Sequence, residues 1–426
     1  MKHAEHKSYL GAKRDKGNPF AADRRSGSLG FMRKPSSTES GARTAVPRTV
    51  MALGFVSLFM DLSSEIIHAL LPIFLTTTLG ASVVVVGVID GIAEATASIS
   101  KIFSGYVSDR IGRRKPLILL GYGMAALTKP LFAVAQSSGL VLGARFADRI
   151  GKGMRGAPRD ALVADVTPQE MLGRAFGLRQ SMDTIGAFLG PLLAIGLMFY
   201  FQNDMRAVFW VAVIPAVISA LIVLVWVKEP KTHDAASSRP TLRLRDAGQL
   251  SAAFWKVAAI GVVFTLARFS EAFLILRATA SGLPVAFAPL VLVAMNVVYS
   301  LGAYPAGILS DRMAAAPLLR LGLLCLIVAD LMLAQASSLA VIFAGIAFWG
   351  AHMALTQGLL AKLVADHSPP ALRGTAFGLF NLVSGMTMLV ASALAGLLWS
   401  GVGPAATFLA GAGFALLALT LTASKT

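Results

Sequence analysis

The chain is dominated by apolar stretches that are each long enough to cross a lipid bilayer as one helix, which takes about 20 mostly apolar residues. Twelve such stretches lie at residues 49–76, 82–104, 116–136, 138–157, 176–200, 206–227, 254–279, 285–308, 316–335, 338–362, 376–399 and 403–422. Of all residues, 56% are hydrophobic and only 14% are charged, which is more apolar surface than a water-soluble domain can bury. The stretches are continuous, unlike the alternating strands of a transmembrane barrel. The sequence therefore predicts an all-α membrane protein with twelve transmembrane helices.

Basic residues are concentrated in every second connection between these stretches. The basic connections are 110–115, 149–159, 228–245, 312–320 and 362–373. The alternate connections, such as 135–139, carry almost no Lys or Arg. Basic loops mark the cytoplasmic side of a membrane protein, so an even number of spans predicts that both termini and the central loop are cytoplasmic. The net charge of +16 then follows from membrane orientation, and we expect no nucleic-acid partner.

One loop motif occurs in both halves of the chain. Residues 105–115 read Gly-Tyr-Val-Ser-Asp-Arg-Ile-Gly-Arg-Arg-Lys, and residues 307–312 repeat its beginning 202 positions later as Gly-Ile-Leu-Ser-Asp-Arg. A second match, 162–168 with 363–369, has nearly the same offset of 201. Because the two pairs of matching segments have almost the same offset, the sequence predicts a duplication into two six-helix halves related by an axis along the membrane normal.

The duplication divides the chain into four segments. We expect a disordered basic cytoplasmic tail at 1–47, a six-helix bundle at 48–227, a cytoplasmic linker at 228–253 and a second six-helix bundle at 254–424. Two large halves that face each other across a central cavity can open alternately to the two sides of a membrane.

The repeated motif resembles the loop between helices 2 and 3 of the major facilitator superfamily, and the resemblance extends over about residues 48–424. It implies that family's fold, with twelve helices in two pseudo-symmetric bundles, and a secondary active transporter that works by alternating access as a monomer. In that family the motif is a gate whose aspartate helps to lock the halves in the outward-open state. The resemblance assigns the gate to Gly105, Asp109, Arg110, Gly112 and Arg113, with Asp311 and Arg312 as a trimmed second copy.

A second pattern lies in the fifth apolar stretch. Gly186, Gly190 and Pro191 form a Gly-x-x-x-Gly-Pro sequence that is similar to an element of proton-coupled exporters in the same superfamily. Small residues and a proline allow close helix packing and a bend. Ordinary glycine-rich packing is the alternative explanation, so the pattern favours export without establishing it.

The fourth apolar stretch contains a dense group of charges between residues 145 and 160. Arg145 stands where the resemblance places the helix-4 arginine that is associated with proton coupling. The segment as a whole resembles a bacterial branch of the superfamily, which implies the bacterial cytoplasmic (inner) membrane as the location. The alternative is that part of the segment is only the cytoplasmic end of helix 4 and its loop.

Several acidic residues fall at membrane depth, where ionisable groups are costly and usually functional. Asp61 and Glu65 are four residues apart and share one face of a helix, and Glu94 lies in the second stretch. Neighbouring carboxylates oppose each other's ionisation, so we expect Asp61 or Glu65 to carry a proton during transport or to bind the substrate. The alternative for both residues is a static salt bridge. In the seventh stretch, Arg268 and Glu271 are three residues apart. They either pair within their helix or place Arg268 opposite Asp61 or Glu65 across the cavity.

These features predict proton-coupled efflux of a small organic molecule by alternating access. The expected partners are the substrate, protons and the lipid bilayer. The alternatives are proton-coupled import of a metabolite and a non-transporting receptor or scaffold on the same fold. We expect no enzyme, no cofactor and no metal site, because the sequence lacks a nucleotide-binding P-loop and any His/Cys cluster with metal-ligand spacing.

Overall fold

The computed structural model describes residues 46–111, 113–168, 171–229, 248, 250–369 and 372–423. Helices and turns account for these residues, among which there is no β-strand. The all-α prediction is therefore confirmed. The predicted tail at 1–47 and most of the predicted linker at 228–253 lie outside the described residues.

Each of the twelve apolar stretches coincides with a helix. The helices are α1 (Arg48–His68, extended by short turns at Leu71–Ile73 and Phe74–Thr78), α2 (Val83–Ile111), α3 (Lys115–Val134), α4 (Ser138–Asp165), α5 (Leu172–Tyr200), α6 (Met205–Val225), α7a (Ala252–Ala267), α7b (Ala272–Ala280), α8 (Leu290–Arg312), α9 (Ala315–Ala334), α10 (Leu339–Asp366), α11 (Arg373–Gly401) and α12 (Pro404–Ala423). We call the side at which α1 begins and α12 ends the terminal side, and the opposite side the far side.

Helix α4 differs in composition from the other spans. Eleven helices among the described residues are long and apolar enough to cross a membrane, and α4 is the spanning element left outside that set. It is 28 residues long, so its length suffices, but charged residues interrupt its apolar surface. The predicted basic connection at 149–159 is wrong, because these residues form part of α4, which continues to Asp165.

The first helix of each half is interrupted near the far side. Helix α1 stops at His68 before two short turns, and α7a stops at Ala267 because Arg268 has a non-helical backbone conformation. The released backbone N–H of Ser270 donates to the Ser392 hydroxyl on α11 at 3.2 Å, which satisfies a polar group that lipid could not. The two interruptions occupy corresponding places in the duplicated halves.

The halves repeat one packing scheme. In the first half α3 packs against α4 and α6, and α2 packs against α4. In the second half the corresponding helices do the same, because α9 packs against α10 and α12, and α8 packs against α10. The two halves meet mainly where α2 contacts α11, with a smaller contact between α5 and α8.

The α2–α11 contact lies towards the far side, where small residues bring the two backbones together. A Cβ atom on Gly91 would lie 2.7 Å from the Cα of Leu389, and one on Gly396 would lie 2.7 Å from the Cα of Val84. Only glycine permits backbones to approach this closely. Between α5 and the start of α8, the rings of Phe199 and Phe287 also meet edge to face, with centroids 5.3 Å apart. These contacts join the halves on the far side of the cavity described below.

Candidate functional site

A cavity of ≈ 320 Å³ lies between the halves, on the terminal side of the α2–α11 contact. The first half contributes Glu94 and Ser98, and the second half contributes residues of α7a, α10 and α11. Aromatic rings, hydroxyl groups, an amide and one guanidinium line the second-half wall, namely those of Phe264, Thr265, Arg268, Phe377, Phe380, Asn381 and Ser384. A mostly apolar pocket with a few polar groups is typical of small-molecule sites.

The charges of α4 enter the protein interior because neighbouring helices supply opposite charges. Lys129 on α3 donates to Asp148 at 2.9 Å and to the Ser64 hydroxyl at 3.1 Å. Both members of the ion pair are almost completely buried, with side-chain exposures of 2% and 4%. A buried ion pair is tolerated only when its geometry is good and its remaining polar atoms are satisfied, and the Ser64 hydroxyl contributes to this.

Two arginines of α4 bind acidic residues of α2. Arg145 lies 3.5 Å from Asp90, and Arg149 lies 3.3 Å from Glu94. Asp90 also accepts a hydrogen bond of 2.7 Å from Ser270, in the interruption of α7. Arg145 is therefore buried and connected, through Asp90, to the second half of the protein. Its expected role in proton coupling stays a prediction.

Asp61 is close to a second carboxyl group, but this group belongs to α5 and not to its own helix. The side chains of Asp61 and Asp183 are close enough to share a hydrogen bond. Arg159 and Arg179 lie 3.8 and 3.7 Å from Asp183. Two carboxyl groups can share a hydrogen bond only when one of them is protonated, so the arrangement is a site for one proton.

Glu65, which was expected to interact with Asp61, has a different partner. Its carboxylate lies 3.3 Å from His68, one turn further along α1. In the second half, Arg268 lies 3.7 Å from Glu271, so the structure favours the local pair over contact of Arg268 with Asp61 or Glu65. This pair spans the interruption between α7a and α7b, and not a continuous helix as the sequence suggested.

The predicted gate motif is described only in part. Gly105 lies in α2, and Arg113 is exposed in the loop that follows. The side chains of Asp109, Arg110, Asp311 and Arg312, and the whole of Gly112, lie outside the described residues. Their gating role stays a prediction.

The neighbouring Arg114 makes connections that the sequence did not indicate. Its guanidinium donates to the Ser108 hydroxyl at 2.7 Å and lies 3.4 Å from Asp165 at the end of α4. Its backbone N–H donates to Glu229, just after α6. The loop between α2 and α3 is thus tied to the terminal-side ends of α4 and α6.

The glycines of the helix-5 pattern lie against α1. A Cβ atom on Gly190 would lie 2.7 Å from the Cβ of Glu65, and one on Gly186 would overlap the backbone of Leu58. Pro191 lies inside the same helix, α5. The pattern therefore holds α5 close to α1, the two helices that carry the Asp61–Asp183 pair.

Several residues of the site are not among the site residues predicted from the sequence. These residues are Lys129, Lys152, Arg159, Arg179 and Asp183. A usable signal was present in α4, where charges recur at 145, 148, 149, 152, 155 and 159. This spacing of three to four residues is typical of a helical face and not of a loop.

Comparisons with known proteins agree with this architecture. The sequence matches the family model of the Major Facilitator Superfamily over residues 53–287 and 257–424. It is 33% identical over 381 residues to an uncharacterized MFS-type transporter of Methanocaldococcus jannaschii, a match that covers 87% of this chain and 93% of the relative. It is 29% identical over 164 residues to the multidrug resistance protein MdtH of Yersinia enterocolitica, covering 38% of this chain and 40% of that protein. The solved structure of the nucleoside transporter NupG matches with a TM-score of 0.72 at 14% identity, covering 88% of this chain and 98% of that chain.

Proposed function

Because this chain belongs to the major facilitator superfamily of membrane transporters, we propose that it exports a small organic molecule from the cytoplasm in exchange for protons. It works as a monomer in the bacterial inner membrane, with both termini cytoplasmic. The terminal side is then the cytoplasmic side, in agreement with the basic loops found there. The contacts of Gly91 and Gly396 lie towards the opposite side, so the arrangement fits a transporter whose cavity faces the cytoplasm.

The observation that carries this proposal is the Asp61–Asp183 pair. Its two carboxyl groups, one on α1 and one on α5, are close enough to share a hydrogen bond, and such a bond needs one proton. Arg159 of α4 and Arg179, one turn before Asp183 on α5, lie beside Asp183, and positive charges favour an ionised carboxyl group. Arg179 stays with Asp183 on the same helix, so an approach of Arg159 releases the proton, and a movement of α4 that withdraws Arg159 allows the proton to bind again. A proton site whose occupancy depends on conformation is what coupling requires.

Export is favoured over import by two observations. The Gly186, Gly190 and Pro191 pattern packs α5 against α1 beside the proton site, and it is similar to an element of proton-coupled exporters. The partial similarity to a multidrug resistance protein points in the same direction. In this cycle a proton enters from outside, binds the carboxyl pair and is released to the cytoplasm as a substrate molecule leaves.

We expect Asp61→Asn and Asp183→Asn each to abolish proton-driven transport while substrate exchange at equal pH on both sides continues. Asparagine keeps the size of the side chain but cannot gain or lose a proton. The measurement is current on a solid-supported membrane in proteoliposomes with an imposed pH gradient, screened against a library of organic compounds. The matched control is Asp204→Asn, because Asp204 caps α6 through hydrogen bonds to backbone N–H groups and asparagine is an equally good cap.

The same experiment separates the alternatives. Proton-driven current of wild-type size in both variants would rule out this coupling site. Substrate accumulation on the cytoplasmic side, driven by an inward proton gradient, would identify an importer. Compound binding without any exchange across the bilayer would identify a receptor or scaffold.

A further inference from the structure

The acidic side chains around the cavity already have partners. The ion pairs, within the part of the chain that the structure describes, are Glu65 with His68 (3.3 Å), Asp90 with Arg145 (3.5 Å), Glu94 with Arg149 (3.3 Å) and Glu271 with Arg268 (3.7 Å). Asp61 and Asp183 are close enough to share a hydrogen bond, and Asp183 also faces Arg159. A cationic ligand that entered this region would therefore have to displace an existing basic partner.

Lys152 differs from the other basic residues of α4, of which Arg145, Arg149 and Arg159 form ion pairs and Arg155 lies over the Tyr122 ring at 4.7 Å. Lys152 forms neither a hydrogen bond nor an ion pair with any of the described residues, and its side chain is exposed. It lies 14 residues into a 28-residue helix, which is about 21 Å from the far-side end and close to mid-membrane depth. The charged groups that act on it most strongly include Arg149, Glu94 and Asp61. Because Glu94 and Asp61 belong to α2 and α1, its exposure is to the space between helices and not to lipid.

An ammonium group without a partner at this depth requires an explanation. A charge in the membrane interior is costly and is kept where it faces a water-filled cavity or a ligand. Lys129 on α3 avoids this cost in a different way, because its charge is buried and forms an ion pair with Asp148 at 2.9 Å. Lysine has a flexible stem and a compact charge, so Lys152 can reach a ligand in the cavity. Arg149, one turn earlier on α4, is already occupied by Glu94.

We propose that Lys152 binds the anionic group of the transported molecule, which is an organic anion with an apolar body. This inference rests on the proposed transport function and adds the chemical class of the substrate. Lys152 lies on the first-half side, where Glu94 lines the cavity and acts on its charge, and the carboxylates around it are compensated. Attraction between opposite charges then selects an anion over a cation of the same shape.

The opposite wall indicates what the rest of the molecule is like. Phe264, Phe377 and Phe380 provide ring surfaces, and Asn381 and Ser384 provide hydrogen-bonding groups beside them. Ring surfaces bind flat apolar groups through stacking and dispersion. An organic anion with its charged group towards α4 and its aromatic body towards α11 would therefore fit the ≈ 320 Å³ cavity.

The test compares three compounds that share one ring system and differ in charge: naphthoate, naphthamide and naphthylmethylammonium. Their binding to the purified full-length protein in detergent is measured by calorimetry at neutral pH, without any gradient. We expect naphthoate to bind the wild type about tenfold to a hundredfold more tightly than naphthamide. Lys152→Met should remove this difference, and Lys152→Glu should reverse it, so that naphthylmethylammonium binds best. Lys256→Met, which removes an exposed lysine near the start of α7a, should leave the preference unchanged.

Three results would overturn the proposal: a wild type that prefers the ammonium compound, a Lys152→Met variant that keeps the preference for naphthoate, and a wild type that binds none of the three compounds. Misfolding cannot produce the reversal expected for Lys152→Glu, so this variant tests the charge itself. Binding in detergent does not depend on proton coupling or on transport direction. Failure of the Asp61 and Asp183 prediction with intact naphthoate selectivity would therefore reject the coupling mechanism and retain this site.

Discussion

Replacing Gly91 and Gly396 together by alanine should hold the transporter open to the far side and reduce transport at least tenfold. A Cβ atom on Gly91 would lie 2.7 Å from the Leu389 Cα, and one on Gly396 would lie 2.7 Å from the Val84 Cα. Both obstacles are backbone atoms, so α2 and α11 must separate to admit the methyl groups. Overpacking of this kind costs about 1–3 kcal/mol at each site, and about 1.4 kcal/mol changes an equilibrium constant tenfold. The penalty applies only to the conformation in which these helices touch.

The shift in conformation can be measured by labelling a cysteine in the cavity. The background is Cys325→Ser, which removes the sole native cysteine, and the reporter is Ser384→Cys on the α11 wall of the cavity. We expect a membrane-impermeant maleimide added from the terminal side to react more slowly in the double-alanine variant than in the background protein. The matched control is Gly123→Ala with Gly143→Ala, because an added Cβ at either position would meet nothing within 4 Å. Equal labelling rates in the double-alanine variant and this control would show that the α2–α11 contact does not determine which side is open.

The architecture was predictable because a lipid bilayer imposes a simple requirement on sequence. A spanning helix must be apolar over about 20 residues, and all twelve predicted stretches coincide with helices. The interruption in α7 was not visible, since 268–271 contains neither glycine nor proline. In α1, Pro72 directly after the interruption was a signal that the sequence did offer. Residues distant in sequence satisfy the backbone groups that such an interruption releases; for example, the Ser392 hydroxyl accepts a hydrogen bond from the Ser270 N–H. Contacts between helices decide such details, and spacing along one helix does not reveal them.

The same limit explains what was missed in the site. Sequence spacing identified Asp61 and Glu65 as neighbours on one helix, whereas their closest partners in the structure are Asp183 and His68. A carboxyl pair between α1 and α5 depends on how these helices pack, and the glycines of α5 bring them together. The charges at 149–159 were counted as a basic connection, because such connections are common in membrane proteins, although the predicted stretch 138–157 already contained most of them. Their helical spacing was the better guide.

Breaking the buried ion pair between α3 and α4 should destabilise the protein strongly, and unequally for its two members. Asp148→Val leaves the Lys129 ammonium buried without its partner and removes the negative charge that also faces Arg145, Arg149 and Arg155. Loss of one partner of a buried pair costs about 3–5 kcal/mol, so we expect the apparent Tm in detergent to fall by several degrees. Lys129→Met should cost less, because the three arginines still compensate the charge of Asp148.

The double variant, Lys129→Met with Asp148→Val, isolates the interaction between the two charges. Each single change breaks the Lys129–Asp148 pair and alters the net charge of the first half, whereas the double change removes both charges and keeps that net charge constant. Apolar residues of similar volume can replace a buried ion pair at little cost or with a gain, so we expect the double variant to unfold at a temperature close to that of the wild type. A double-mutant cycle in apparent Tm measures this recovery. Additive losses would mean that each side chain contributes through its own packing, and that α4 enters the membrane interior without needing the charge of Lys129.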